Sequence, residues 1–289
     1  MKQRDLSCTE ESAHALIALA LMWAVILLFG LLVTSGVSAQ AGTGQDSQTS
    51  TPASTTISTD IITDTTWTQA GSPYTVTNDV SVIAGVTLTV KRGVEVRFEQ
   101  GTGLDVYGTL TAQGTASQPI TFTGTIKQPG WWDEIHIQGT GGQMNVGSAL
   151  DYVTVEYGGH SCANLYLDHA SATVTHSAFD YSGEDGIQGY AGGVADISDS
   201  SFVGNQGYAV QFWDGSVNPM LANLSATGNV SDTVAMGGGT LQGAHTWEAT
   251  GVPYQVVGDM DTAVGSTLTV EPGVEVRFEL GLAWLSMAR

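Results

Sequence analysis

The sequence predicts an all-β fold: a right-handed parallel β-helix, a three-sided solenoid with about 22–24 residues per coil. Three observations carry this expectation. Of 289 residues 37 are Gly, and charged residues make up only 12%, a composition that suits strands and turns better than helices. Val155, Phe179, Phe202 and Leu224 each end a β-like stretch, so an apolar residue returns at a nearly constant interval. Five positions before the first three stand Leu150, Val174 and Ile197, and eight positions after Phe179 and Phe202 come Ile187 and Val210. In one straight strand, positions five apart face opposite sides, because side chains alternate. Both positions are apolar in coil after coil, so a bend lies between them, at His176 and Asp199, where Asp tolerates turn conformations. Three short strands per coil, stacked about 4.8 Å apart, then enclose one continuous apolar core. A β-sandwich array is the alternative, but it does not produce such a ladder.

The elements follow in chain order. Lys2 and Arg4 lead into an uncharged run from Ala15 to Val33, and Ala39-Gln40-Ala41 offers small residues for cleavage. Residues 1–41 therefore read as a signal peptide or an uncleaved N-terminal membrane anchor. In either case the rest of the chain is extracellular or at the cell surface, touching the membrane only through that segment. Residues 42–66 are rich in Ser and Thr without an apolar period, and read as a flexible linker. Cys8 precedes the apolar run, which leaves Cys162 as a lone buried thiol with no internal disulfide.

A long internal repeat organises the remainder. Trp67 to Gly101 reads WTQAGSPYTVTNDVSVIAGVTLTVKRGVEVRFEQG, and Trp247 to Gly281 reads WEATGVPYQVVGDMDTAVGSTLTVEPGVEVRFELG. The two runs align from end to end without a gap. Residues 67–246 thus form one β-helix module, and residues 247–289 begin a second that departs from the first after Gly281. Truncation of a longer array, or end-to-end association through an uncapped last coil, are the expectations for that end.

The runs TLTVKRGVEVRFEQGTGLDVYGTLTAQGTASQPITFTG and PGWWDEIHIQG, followed by LDYVTVEYGG, resemble bacterial extracellular right-handed β-helix repeat proteins of the pectate-lyase-like superfamily. That resemblance implies a scaffold shared by lyases, hydrolases, epimerases, tailspikes and surface proteins without activity, so it selects no reaction. Residues nevertheless exclude several. A net charge of -20 removes nucleic acid as a partner. Pectate-lyase-like chemistry resembles a reaction carried by Arg or Lys on the helix face, and none occurs between Lys127 and Arg277. Gly158-Gly159-His160 lacks the following Gly and the basic motif of polygalacturonase-like hydrolases.

What remains is a set of candidates. Glu156 and Asp180 each follow an inward residue by one, so both point outward in one column, close enough for one pKa to rise. His176 and Asp199 form a second stacked pair at the bend. Either pair is a candidate for hydrolysis by two carboxylates or a carboxylate and His. Asp180, Glu184 and Asp185 vaguely suggest a loop for a calcium ion, the one cofactor these residue types point to. Trp131, Trp132, Tyr157, Tyr181 and Trp213, with Asp214 beside the last, offer a platform for sugar rings. The primary expectation is a non-catalytic secreted or cell-surface protein with a structural, adhesive or glycan-binding role, its partner a polysaccharide or cell-surface glycan. An extracellular polysaccharide hydrolase is the rival, and an inert spacer the third reading.

Overall fold

The structure, a computed structural model, describes residues 54–282 and the backbone of 284–286. The expected export signal and the first part of the linker lie outside the described residues. The described residues belong to one compact unit.

Short strands recur in threes, and among the described residues their pairings are parallel, which makes three long sheets of eight, nine and seven strands. One coil shows how they are made. Ala170–Thr175 belongs to the seven-stranded sheet, Ala178–Asp180 to the eight-stranded sheet and Asp185–Tyr190 to the nine-stranded sheet. The columns read from the sequence are real. Leu150, Val174, Ile197 and Leu221 are register partners, as are Ile187, Val210 and Val234, and all are buried. Phe122, Val155, Phe179 and Phe202 stack in the eight-stranded sheet, with the last two rings 5.8 Å apart. The column continues to Ala226 rather than to Leu224, so the last interval is as long as the first instead of shorter. Leu224 is buried, but it stands where Ser177 and Ser200 stand in earlier coils.

The bends are equally regular. Tyr152, His176, Asp199 and Asn223 all adopt left-handed backbone, with φ of 51, 48, 50 and 52°. This conformation turns the chain from the seven-stranded to the eight-stranded sheet in one residue, and short polar side chains tolerate it best. Just past it, buried serines link the coils: Ser177 Oγ donates to Thr175 O, and accepts from Val153 N–H of the preceding coil. Ser200 repeats both bonds one coil later. At the next corner buried Asn side chains do the same work. Asn164 Nδ2 donates to Val155 O and Asp180 O, and Asn205 Nδ2 donates to Phe179 O and Asn229 Oδ1. These bonds satisfy backbone groups that a corner would otherwise leave buried and unpaired.

The stack begins before the expected linker ends: Thr55–Ile57 pairs with Tyr74–Val76, and Thr65–Trp67 pairs with Thr87–Lys91. Asp60 and Asp64 accept from the N–H groups of Ser81 and Thr87, so the polar residues of this segment serve the neighbouring coil. The long repeat also reproduces its packing, with Trp67 on Tyr74 at 4.9 Å and Trp247 on Tyr254 at 4.8 Å. Yet Tyr74–Val76 lies in the eight-stranded sheet and Tyr254–Val256 in the nine-stranded sheet. The second copy stands one face further round, because the repeat length is not a whole number of coils. Its strand Tyr254–Val256 continues the same stack, paired with Ser231–Met236. Cys162 is buried and disulfide-bonded, which corrects the expected lone thiol.

Candidate functional site

The outer surface of the eight-stranded sheet gathers most of the sequence-predicted residues. Its strands are short, so each presents two outward positions. The nearer column is Thr154, Ala178, Ser201 and Ser225, all register partners and all small. The farther column is Glu156, Asp180, Val203 and Thr227. On the other side of the small column stand the left-handed residues Tyr152, His176, Asp199 and Asn223. The result is a trough of about 390 Å³, floored by small, mostly hydroxyl-bearing side chains and walled by the bend residues. The two candidate pairs thus flank one surface.

Glu156 and Asp180 are cross-strand neighbours, as their spacing predicts. Glu156 Oε1 accepts from Thr123 Oγ1 at 2.9 Å and from Lys127 Nζ at 3.2 Å. That contact raises the Lys127 pKa through its hydrogen bond and its charge. Asp180 Oδ1 accepts from Val203 N–H at 3.0 Å. Burial pushes the Asp180 carboxyl up to about 6; the Val203 bond opposes the rise and the Glu156 charge adds to it. A carboxyl raised in this way beside a second acid is the condition for an acid–base division of labour.

His176 sits between two acids. Its Nδ1 lies 2.9 Å from Asp151 Oδ1, its Nε2 lies 3.9 Å from Asp199 Oδ2, and its ring stacks on Tyr152 at 4.5 Å. Asp199 also accepts from Asn223 Nδ2 at 3.0 Å. Asp185 is buried and accepts from Tyr208 N–H and Gln188 Nε2. Asp214 accepts from Ser216 N–H and Oγ, as the turn there requires. The side chains expected for calcium, Asp180, Glu184 and Asp185, are not brought together: among the described residues no group of three or more His, Cys, Asp or Glu would hold a metal ion.

The aromatic platform changes most. Trp132 is fully buried, stacked on Phe98 at 4.1 Å with its Nε1–H donated to Glu156 O, so it belongs to the core and not to a ligand surface. Its neighbour Trp131 is half-buried and donates to Thr125 Oγ1. Tyr157 and Tyr181 stack on one another at 5.3 Å and 11°. Lys127 lies over Tyr157, and Gly204 packs close beneath Tyr181, where even a Cβ would approach the ring to 2.9 Å. These rings present edges and hydroxyls, since their faces are covered. Burial, with the Glu156 charge second, raises the Tyr157 pKa. Trp213 is exposed but lies beyond the nine-stranded sheet, away from the trough.

Sequence reasoning missed two features. The trough floor is anonymous in the sequence, because Thr, Ala and Ser acquire meaning there only by being small in register. The outward column of the nine-stranded sheet was also missed: Asp105, His136, Tyr166, Gln188 and Gln211 are register partners. Alternation in Leu-Asp-Val, Ile-His-Ile, Leu-Tyr-Leu and Val-Gln-Phe was the available signal. These side chains hold one another, His136 lying 4.7 Å from Tyr166 and Gln188 donating to Gln211.

Comparison with known proteins agrees with this architecture. Residues 59–234, more than half of the chain, match the family described as pectate-lyase like beta helix domain. A stretch of 53 residues is 42% identical to the protein named bark beetle of Drosophila melanogaster, covering 18% of this chain and 2% of that protein. The chain thus spans a very small part of that relative. No solved structure matches. With three parallel sheets wound into one solenoid and a family match over most of its coils, the chain belongs to the pectate-lyase-like right-handed β-helix family.

Proposed function

We propose that the protein is a secreted or cell-surface β-helix that holds a glycan on its eight-stranded face without cleaving it, in a structural or adhesive role. The observation that carries this reading is how the candidate acids are engaged. Glu156 accepts from Thr123 and Lys127, Asp180 from Val203 N–H, Asp185 from Tyr208 N–H, and Asp199 from Asn223. Most of these partners lie on an adjacent coil, so the carboxylates knit the solenoid together and leave a polar, hydroxyl-rich surface between them. Incubation of the purified chain with neutral and acidic polysaccharides, with and without calcium, tests it. Retention on a polysaccharide with no new reducing ends is expected. Failure to retain any of them contradicts binding.

One observation favours hydrolysis as a second reading. The Asp180 carboxyl, raised to about 6 beside Glu156, is the arrangement in which one acid donates a proton and the other acts as base or nucleophile. Release of reducing ends that disappears in Glu156→Gln and Asp180→Asn would establish that reading and overturn the first.

A further inference from the structure

We infer that the trough on the eight-stranded sheet binds an extended, unbranched, uncharged glycan lying along the solenoid axis, one sugar per coil. This deepens the glycan-binding reading and rests on it. The trough runs over four coils, and each coil contributes the same two parts: one small floor residue, from Thr154 to Ser225, and one wall residue, from Tyr152 to Asn223. Coils repeat about every 4.8 Å, close to the advance per residue of an extended, equatorially linked sugar chain; successive rings of such a chain are flipped, so a given hydroxyl meets an equivalent partner on every second coil. The floor admits a ring because no side chain larger than Thr rises from it. Hydrogen-bonding partners stand at its wall, where Asp199 and Asn223 are exposed and His176 is held by Asp151.

Charge sets the class. Asp199 stands in the wall and Asp151 holds the wall's His176, while Glu156 and Asp180 lie farther along the same sheet face. The histidine at the wall is already flanked by Asp151 and Asp199, and the Lys127 ammonium is held by Glu156. A polyuronate would meet these carboxylates beside cations that are already engaged, whereas a neutral chain needs only the donors and acceptors present.

Equilibrium binding of neutral β-linked gluco-oligosaccharides of increasing length, beside oligogalacturonates of the same lengths, tests the inference. Affinity is expected to rise until the oligomer spans four coils, with at least a tenfold preference for the neutral series. Ala178→Trp and Ser201→Trp fill the floor from outside the core, so folding is retained, as far-ultraviolet circular dichroism would verify. Each is expected to lose tenfold or more in affinity, while Thr173→Trp, exposed on the seven-stranded sheet, is expected to bind as wild type. His176→Ala, at the wall, serves should either floor variant misfold, and the same loss is expected. Wild-type affinity in the floor variants would overturn the trough while leaving glycan binding intact. Preference for the oligogalacturonates would overturn the ligand class, and no binding of either series would overturn both this inference and the reading beneath it.

Discussion

Replacing Asp180 by Asn should make the protein more stable above neutral pH and leave it unchanged in acid. The carboxyl is raised from 3.8 to about 6, chiefly by burial. A raised carboxyl favours the fold while it is neutral. Its contribution is complete below pH 3.8 and is lost as the pH rises through 6, because the folded state must then hold a charge that the unfolded chain carries more easily. A rise of roughly two pH units corresponds to at most ~3 kcal/mol. Partial exposure lets solvent screen the charge, so about 1–2 kcal/mol is expected in practice. Asn cannot ionise, and its side-chain oxygen still accepts from Val203 N–H. Calorimetric melting of wild type and Asp180→Asn at pH 4 and pH 8 reads the difference directly. The variant should melt a few degrees higher at pH 8 and alike at pH 4. A difference independent of pH, or a variant less stable at pH 8, would refute the reasoning.

Other consequences follow from the same geometry. Glu156→Gln removes the one charge that adds to the rise at Asp180, so carboxyl titration by NMR should place the Asp180 midpoint lower than in wild type. Phe179→Ala opens the ring column between Val155 and Phe202 and should cost about 3–5 kcal/mol, measured by denaturant unfolding. Asn205→Ala leaves Phe179 O and Ser182 N–H buried without their partner and should cost about 1–3 kcal/mol, with faster amide exchange at Ser182.

Much of this architecture was legible because apolar columns must recur once per coil, and a bend must separate positions that a straight strand would send to opposite faces. The Glu156–Asp180 pair followed from the same logic, each being the residue after an inward one. Other features depend on register that no single coil displays. Leu224 looks like the next member of the Phe202 column, yet a drift of two positions places Ala226 there. Trp131 and Trp132 are adjacent and alike in sequence, and only the position of Phe98, far earlier in the chain, decides which ring is buried. The coil at Thr55–Trp67 was hidden because its strands are mostly Thr, with Ile57, Ile61 and Trp67 supplying the inward side chains. The repeat was plain, but its rotation by one face was not, since a match in sequence carries no count of coils. The trough was invisible for a related reason: a concavity is made by what is small between two rows.

Hydroxyl-radical footprinting of the chain with and without a bound neutral glucan tests most directly where the glycan is held. Protection of Tyr152 and His176 is the predicted result, with Trp213 unchanged and the glucan recovered at its original length. Protection confined to Trp213, or shortening of the glucan during the experiment, would contradict the account.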